Sequence, residues 1–255
     1  MKPVISNVNP EQFDISSRTL EVYLPHHLTV TIRERNGEDE SILSRMEDFT
    51  SGIAIPKFLS SILVEPKLTP QEIQAWPVRS KWYLMYKERM WQYSSLVSWD
   101  QSFDYRGQVF SVPYEEDIQW FDRDLKNGQE VEKEGQIIAY PKDSKHIIHT
   151  TASGKVVRMN YLTGEAEQFL LESKTMDNLD INDRLRIRNF ELQDNKGTWH
   201  KVDRFNMFTG RDMQEIRKYL EGADPDFNLN VSVKNPKTGD VTQVTLMQIL
   251  SFFFQ

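Results

Sequence analysis

The sequence holds five histidines, and two close pairs among them come nearest to a metal or acid–base arrangement: His26-His27 and His146-Ile147-Ile148-His149. Histidines three apart converge on a metal when a helix carries them. The second pair, however, sits in an alternating stretch that predicts a strand, where positions three apart face opposite ways. The first pair falls in a predicted turn, and adjacent side chains diverge, so neither pair is assigned a metal. Two acidic clusters, Glu38-Asp39-Glu40 and Glu165-Ala166-Glu167, offer carboxylates that could hold a divalent cation or work as an acid and a base. Both stand where a helix is predicted to begin, and a helix N-terminus favours acidic side chains without any chemistry. With no cysteine there is no thiol nucleophile, Cys-ligated zinc or disulfide. Gly-x-Ser-x-Gly, phosphate-binding glycine loops, His-Glu-x-x-His and EF-hand spacing are absent from the sequence as well. The residues therefore read as non-enzymatic, with no metal and no cofactor.

Aromatic residues carry a second kind of chemistry. Between 79 and 93, Arg79, Lys81, Lys87 and Arg89 interleave with Trp82, Tyr83, Tyr86, Trp91 and Tyr93. Stacking plus phosphate contacts would let such a helix bind single-stranded nucleic acid. Val78, Trp82, Met85 and Tyr93 also lie near one helical stripe, which suits a core-facing helix or a protein interface. The chain ends on Phe252-Phe253-Phe254, and three consecutive Phe cannot all face one interior; exposed apolar patches mark partners. Candidate partner anchors are thus Trp82, Tyr86, Trp91, Tyr93, Phe252, Phe253 and Phe254.

The 255 residues suffice for one large domain or two small ones, and the net charge of -7 argues against a nucleic-acid grip spread over the whole surface. No window of about 18 apolar residues predicts a membrane span, and the N-terminus lacks a signal-peptide core, so a cytosolic origin is expected. Alternation predicts strands at Leu20–Leu24 and Leu28–Glu34, then an acid-capped helix from Glu38, and a second helix over Pro56–Val64. Thr69-Pro70-Gln71-Glu72 is a capping box with proline at the first helical position, and Val78–Tyr93 follows as the longest helix. Strands around Val97–Gln101 and Gly107–Val112 precede a helix over Glu115–Leu125. A meander of Gln136–Tyr140, Lys145–Thr151 and Lys155–Tyr161 leads to helices from Thr163 and over Ile181–Leu192. A capping box at Thr209–Asp212 opens another helix, and a hairpin of Phe227–Val233 with Val241–Leu246 follows.

The chain also resembles itself. Asn36-Gly37-Glu38-Asp39-Glu40-Ser41-Ile42-Leu43 matches Thr163-Gly164-Glu165-Ala166-Glu167-Gln168-Phe169-Leu170 at an offset of 164 − 37 = 127. The hairpins match at 239 − 107 = 132, and five residues of loop difference cost little. The expected fold is α+β: two similar strand–helices–β-hairpin repeats packed as a pseudo-dimer, with an inserted β-meander. Residues 1–27 form an extension and first hairpin strand, 28–121 the first repeat, 122–154 a connection with the meander, and 155–255 the second repeat.

The strand leading to Gly-Glu-x-Glu and a helix, the later helix Trp82-Tyr83-Leu84-Met85-Tyr86, the hairpin after it and the Phe-Phe-Phe ending resemble the baseplate hub and tail-assembly proteins of contractile-tailed, T-even type bacteriophages. In that group the terminal hairpin carries cysteine pairs in a zinc-ribbon arrangement. Here Ser232 to Gly239 stand there instead, so no zinc is implied. The resemblance implies a structural or assembly role, in the virion tail baseplate or in the host cytoplasm during assembly. The partners would be hub or tail-tube proteins, with a homo-oligomeric ring as a further form: three duplicated chains would present six modules. The alternatives are a nucleic-acid-binding accessory protein using residues 79–93, and an enzyme with a concave site invisible in one dimension.

Overall fold

Strands β1 (Thr19–Tyr23) and β2 (Thr29–Arg33) pair antiparallel with Val22 opposite Val30 and Leu20 opposite Ile32. The alternation seals one face: Val22, Val30 and Ile32 are buried while Thr19, Glu21 and Thr29 are not. The computed structural model describes residues 18–45, 47–48, 51–117, 140, 145–172, 181–221 and 230–245. It is an α+β protein of several small antiparallel sheets. β3 (Leu63–Glu65) completes a three-stranded sheet on the β2 side.

Helix α1 (Gly37–Leu43) starts in a reciprocal box, Asn36 accepting from the Asp39 amide and Asp39 accepting from the Asn36 amide. Helix α2 (Ala54–Ile62) buries Phe58, Leu59 and Ile62, each contributing about 1.5–3 kcal/mol by leaving water. Helix α3 (Pro70–Gln74) is capped as Thr69-Pro70-Gln71-Glu72 predicts. Helix α4 (Val78–Gln92) then crosses the first core, and β4 (Leu96–Tyr105) and β5 (Gln108–Asp117) form a long hairpin closed at Arg106-Gly107. Glu115–Asp117 are strand residues opposite Leu96–Ser98, which overturns the expected helix start at Glu115. The rest of that helix and the strand up to Ala139 lie outside the described residues, while Tyr140 is buried coil.

The later part opens with the same order of elements, two strands, two helices and a strand, but a further strand then stands where the earlier part has its third helix. β6 (His146–Thr150), β7 (Val156–Asn160), β8 (Glu191–Gln193) and β9 (Trp199–Lys201) make a four-stranded sheet in that order. Helices α5 (Gly164–Glu172) and α6 (Ile181–Ile187) stand between β7 and β8, and α7 (Gly210–Glu221) follows β9. β6, β7 and α5 each start 127 residues after β1, β2 and α1 (146 − 19, 156 − 29, 164 − 37), and α7 starts 132 after α4 (210 − 78). The expected helix over Ile181–Leu192 is shorter: Asn189 takes a left-handed conformation (φ 51°), which ends the helix and turns the chain into β8. The β8–β9 hairpin turns at Asp194-Asn195-Lys196-Gly197, where Asp194 Oδ1 accepts from the Lys196 and Thr198 amides.

Two hydrophobic clusters result. The first joins Val22, Phe58, Leu84 and Val97 with Val231 of the last hairpin, β10 (Asn230–Lys234) and β11 (Val241–Thr245). The second joins Ile147, Val157, Leu185, Phe190, Phe208 and Ile216. One seam between them is a β-bridge of unlike surfaces, Pro77 against Thr163, with the Val78 amide donating to Leu162 O (2.9 Å) and the Gly164 amide to Trp76 O (3.1 Å). Within the first cluster the two hairpins also meet: Tyr114 on β5 donates its hydroxyl to Lys234 O on β10, and the Lys237 ammonium sits 4.0 Å from the Phe110 ring centroid.

Candidate docking site

The structure separates the sequence-predicted anchors. α4 is central and is wrapped on most sides: Ser80, Lys81, Tyr83, Leu84, Met85, Tyr86, Glu88 and Arg89 are all buried. Tyr86 therefore belongs to the core and cannot meet a partner, a correction to its assignment as an anchor. Trp82 stacks on Tyr86 (6.3 Å between centroids), and both Trp82 and Trp91 are half-buried against the first core. Tyr93 stays at the surface, 41% exposed, with Leu96 (43%) three residues on. The Tyr93 hydroxyl donates to Glu40 (2.7 Å), and its ring lies 4.4 Å from the Arg35 guanidinium carbon. Phe252, Phe253 and Phe254 lie outside the described residues.

The polar side chains of α4 hold the fold together. Arg35 and Glu88 form a buried ion pair (Nε–Oε1 3.1 Å), and burial pushes the Glu88 carboxyl up to about 7 against the pull of Arg35. Arg89 donates to Ser94 O and Leu96 O, tying the end of α4 to the start of β4. Lys81 reaches across the seam to Glu167 on α5 (3.4 Å), and burial lowers the pKa of its ammonium while Glu167 opposes that shift. Gln74 joins it by donating to Gly164 O (2.8 Å).

The acidic clusters and histidines have similar internal tasks. Asp39 caps α1 and takes a bidentate contact from Arg33 (2.7 and 3.0 Å), which holds its carboxyl below the usual range although burial alone would raise it. His26 packs tilted against Trp76 (5.1 Å between centroids), and its pKa is pushed down to about 4, first by burial and then by His27. His27 accepts from the Tyr23 hydroxyl (2.6 Å) and donates from Nε2 to Tyr140 O, binding the β1–β2 turn to the second cluster. His146 donates to Asn160 (2.7 Å), and His149 stacks on Tyr219 (4.3 Å). Among the described residues, no three His, Asp or Glu side chains converge as a metal site would need, and no helix is long and apolar enough to cross a membrane.

Exposed apolar side chains mark the outside instead. Besides Tyr93 and Leu96 they include Val109 and Val241 on the two hairpins and Phe169 on α5. The aromatic face of β4–β5, with Trp99 stacked on Tyr114 and Phe103 against Phe110, is turned toward the last hairpin. Ser98, Asp100, Ser102 and Asp104 alternate onto the opposite face. Sequence reasoning missed one concave feature, a cleft of about 600 Å³ between the end of β7, α5 and α6. No protein-family model, curated protein or solved structure matches the chain.

Proposed function

We propose that this chain is a structural or assembly component of a contractile phage-tail baseplate hub, working by docking to neighbouring tail proteins rather than by turning over a substrate. One observation carries the reading. The side chains best suited to chemistry, both histidine pairs and the Asp39 and Glu167 carboxylates, are engaged in contacts within the chain, whereas apolar side chains face outward at Tyr93, Leu96 and Val109. The resemblance of the Gly-Glu-x-Glu helices and the later hairpins to hub proteins supplies the setting. The halves are read as two copies of one unit, supported by the shared offset of 127 residues in β1, β2 and α1. A homo-oligomeric ring of such chains would place the units around the tail axis, in the virion or during assembly in the host cytoplasm. The nucleic-acid reading has less support, because Lys81, Tyr86 and Arg89 of its helix are buried.

Photo-crosslinking in infected cells tests this. A crosslinker replacing Tyr93 should yield adducts with tail proteins, one replacing Tyr86 should yield none, and peptide mass spectrometry should find the chain in tail assemblies. Adducts with nucleic acid, or a chain absent from every tail intermediate, would overturn the proposal.

A further inference from the structure

The β4–β5 hairpin sorts its charges by face. On one side Trp99, Phe103, Phe110 and Tyr114 are turned toward the last hairpin, whose Lys237 ammonium lies 4.0 Å from the Phe110 ring centroid and 5.5 Å from that of Tyr105. On the other side stand Asp100 and Asp104 of β4 with Glu115 and Asp117 of β5, all exposed. Neither strand contains Lys, Arg or His, so this face carries four carboxylates and no cation of its own. Glu115 accepts from the Ser98 hydroxyl (3.2 Å) and Asp104 from the Gly107 amide (3.1 Å), contacts that bring no positive charge. Exposed apolar side chains frame the same face: Leu96 (43%) where it begins, three residues after Tyr93, and Val109 (73%) where it ends.

The strand register sets the carboxylates out as a ladder. Asp117 lies opposite Leu96, Glu115 opposite Ser98 and Asp100 opposite Pro113; Ser102 and Ser111 fill the next rung, and Asp104 opposite Val109 the last. Rungs that share a face are two residues apart, about 7 Å, so the ladder runs about 27 Å. Alternate side chains of an extended segment have the same spacing. A helix advances about 5.4 Å per turn and falls nearly a full rung out of step over that length.

We propose that this sheet face receives an extended basic segment of a neighbouring tail protein, with Lys or Arg at alternate positions. The inference rests on the docking reading above and gives the partner its chemistry, because charge complementarity selects it. Phosphates are repelled here, and so is the same face of a second copy. A metal ion or free polyamine gains nothing from Leu96 and Val109, whereas a protein segment covers both with its ends.

The test uses the full chain and a capped nine-residue threonine peptide carrying lysine at positions 1, 3, 5 and 9, followed by NMR of the Ser102, Val109 and Ser111 backbone amides. The expected result is a saturable shift that is lost when salt is raised from about 50 to about 500 mM. An isomer with its four lysines consecutive should bind at least about threefold more weakly, and the glutamate counterpart should not bind. Asp100→Asn combined with Glu115→Gln, both at exposed positions, should weaken binding about fivefold. Glu21→Gln combined with Glu65→Gln removes as much charge from exposed positions outside the hairpin and should change binding less than about twofold. Equal binding by the consecutive-lysine isomer or by free spermine would show a face that collects cations of any kind and overturn the proposal, as would unchanged binding by the Asp100→Asn, Glu115→Gln variant. Failure of the peptide alongside Tyr93 crosslinks to tail proteins sinks the assignment of this face alone. Peptide binding without any tail association sinks the assembly reading alone.

Discussion

Gly164 is the residue on which the seam between the two clusters turns, and replacing it with alanine gives a calculable result. An added Cβ would lie 2.0 Å from Lys81 Nζ, 2.7 Å from Gln74 O and 2.9 Å from Gln74 Oε1. The ammonium ends a flexible stem and can swing away, but the Lys81 side chain is only 1% exposed, so moving it strains the Glu167 contact that offsets its burial. Gln74 O is backbone and can retreat only by parting the Pro77–Thr163 bridge with its hydrogen bonds of 2.9 and 3.1 Å. Overpacking and two weakened hydrogen bonds together cost about 3–5 kcal/mol. Gly37, at the same place in α1, has nothing within 4 Å of an added Cβ and no positive φ. Gly37→Ala should therefore be neutral or stabilise by about 0.5 kcal/mol. Urea unfolding of the full chain measures both, with a lowered m-value expected for Gly164→Ala as the two clusters lose their coupling. If Gly164→Ala falls within about 1 kcal/mol of wild type, the close approach is not what holds the seam, and the reasoning fails.

Acid should weaken the fold through His26. Its imidazole stays neutral in the folded chain down to about 4, whereas the unfolded chain takes up a proton from 6.5. Its contribution is thus complete above about pH 6.5 and is lost as pH falls toward 4, by about 3 kcal/mol in all. His26→Phe should flatten the fall in urea midpoint between pH 7 and pH 4.5, and parallel slopes would remove His26 as the cause. Thr69→Ala should cost about 1 kcal/mol, since Thr69 Oγ1 accepts the Glu72 amide and Glu72 accepts the Thr69 amide (2.7 Å). Calorimetry reads this as a lower Tm, and an unchanged Tm would show that α3 needs no cap.

What was legible in the sequence was what neighbouring residues decide together. The Thr69 box, the start of α1 and the β1–β2 alternation rest on side chains within four positions of the backbone groups they serve, so composition and spacing reveal them. The environment of α4 was not legible. A helix with Ser80, Lys81, Glu88 and Arg89 on its polar side reads as amphipathic whether that side meets water or a network of Arg35, Gln74 and Glu167 contributed from elsewhere. The β8–β9 hairpin did carry a signal, Asp194-Asn195-Lys196-Gly197, which the helix periodicity of the preceding residues overrode. Asn189, able to turn left-handed at a helix end, was the residue to heed there.

The cleft itself was beyond any local reading, since its walls come from the end of β7, from α5 and from α6, which only the fold brings together. The start of α5 is anchored across the joint between the clusters: Trp76 O, the Val78 amide, Gln74 and Lys81 all engage Leu162 to Glu167. α1 has the Arg33 pair and an open Gly37; α5 has the seam and an open cleft. α1 is thus restrained from within the first cluster, and α5 chiefly by the joint between the two clusters.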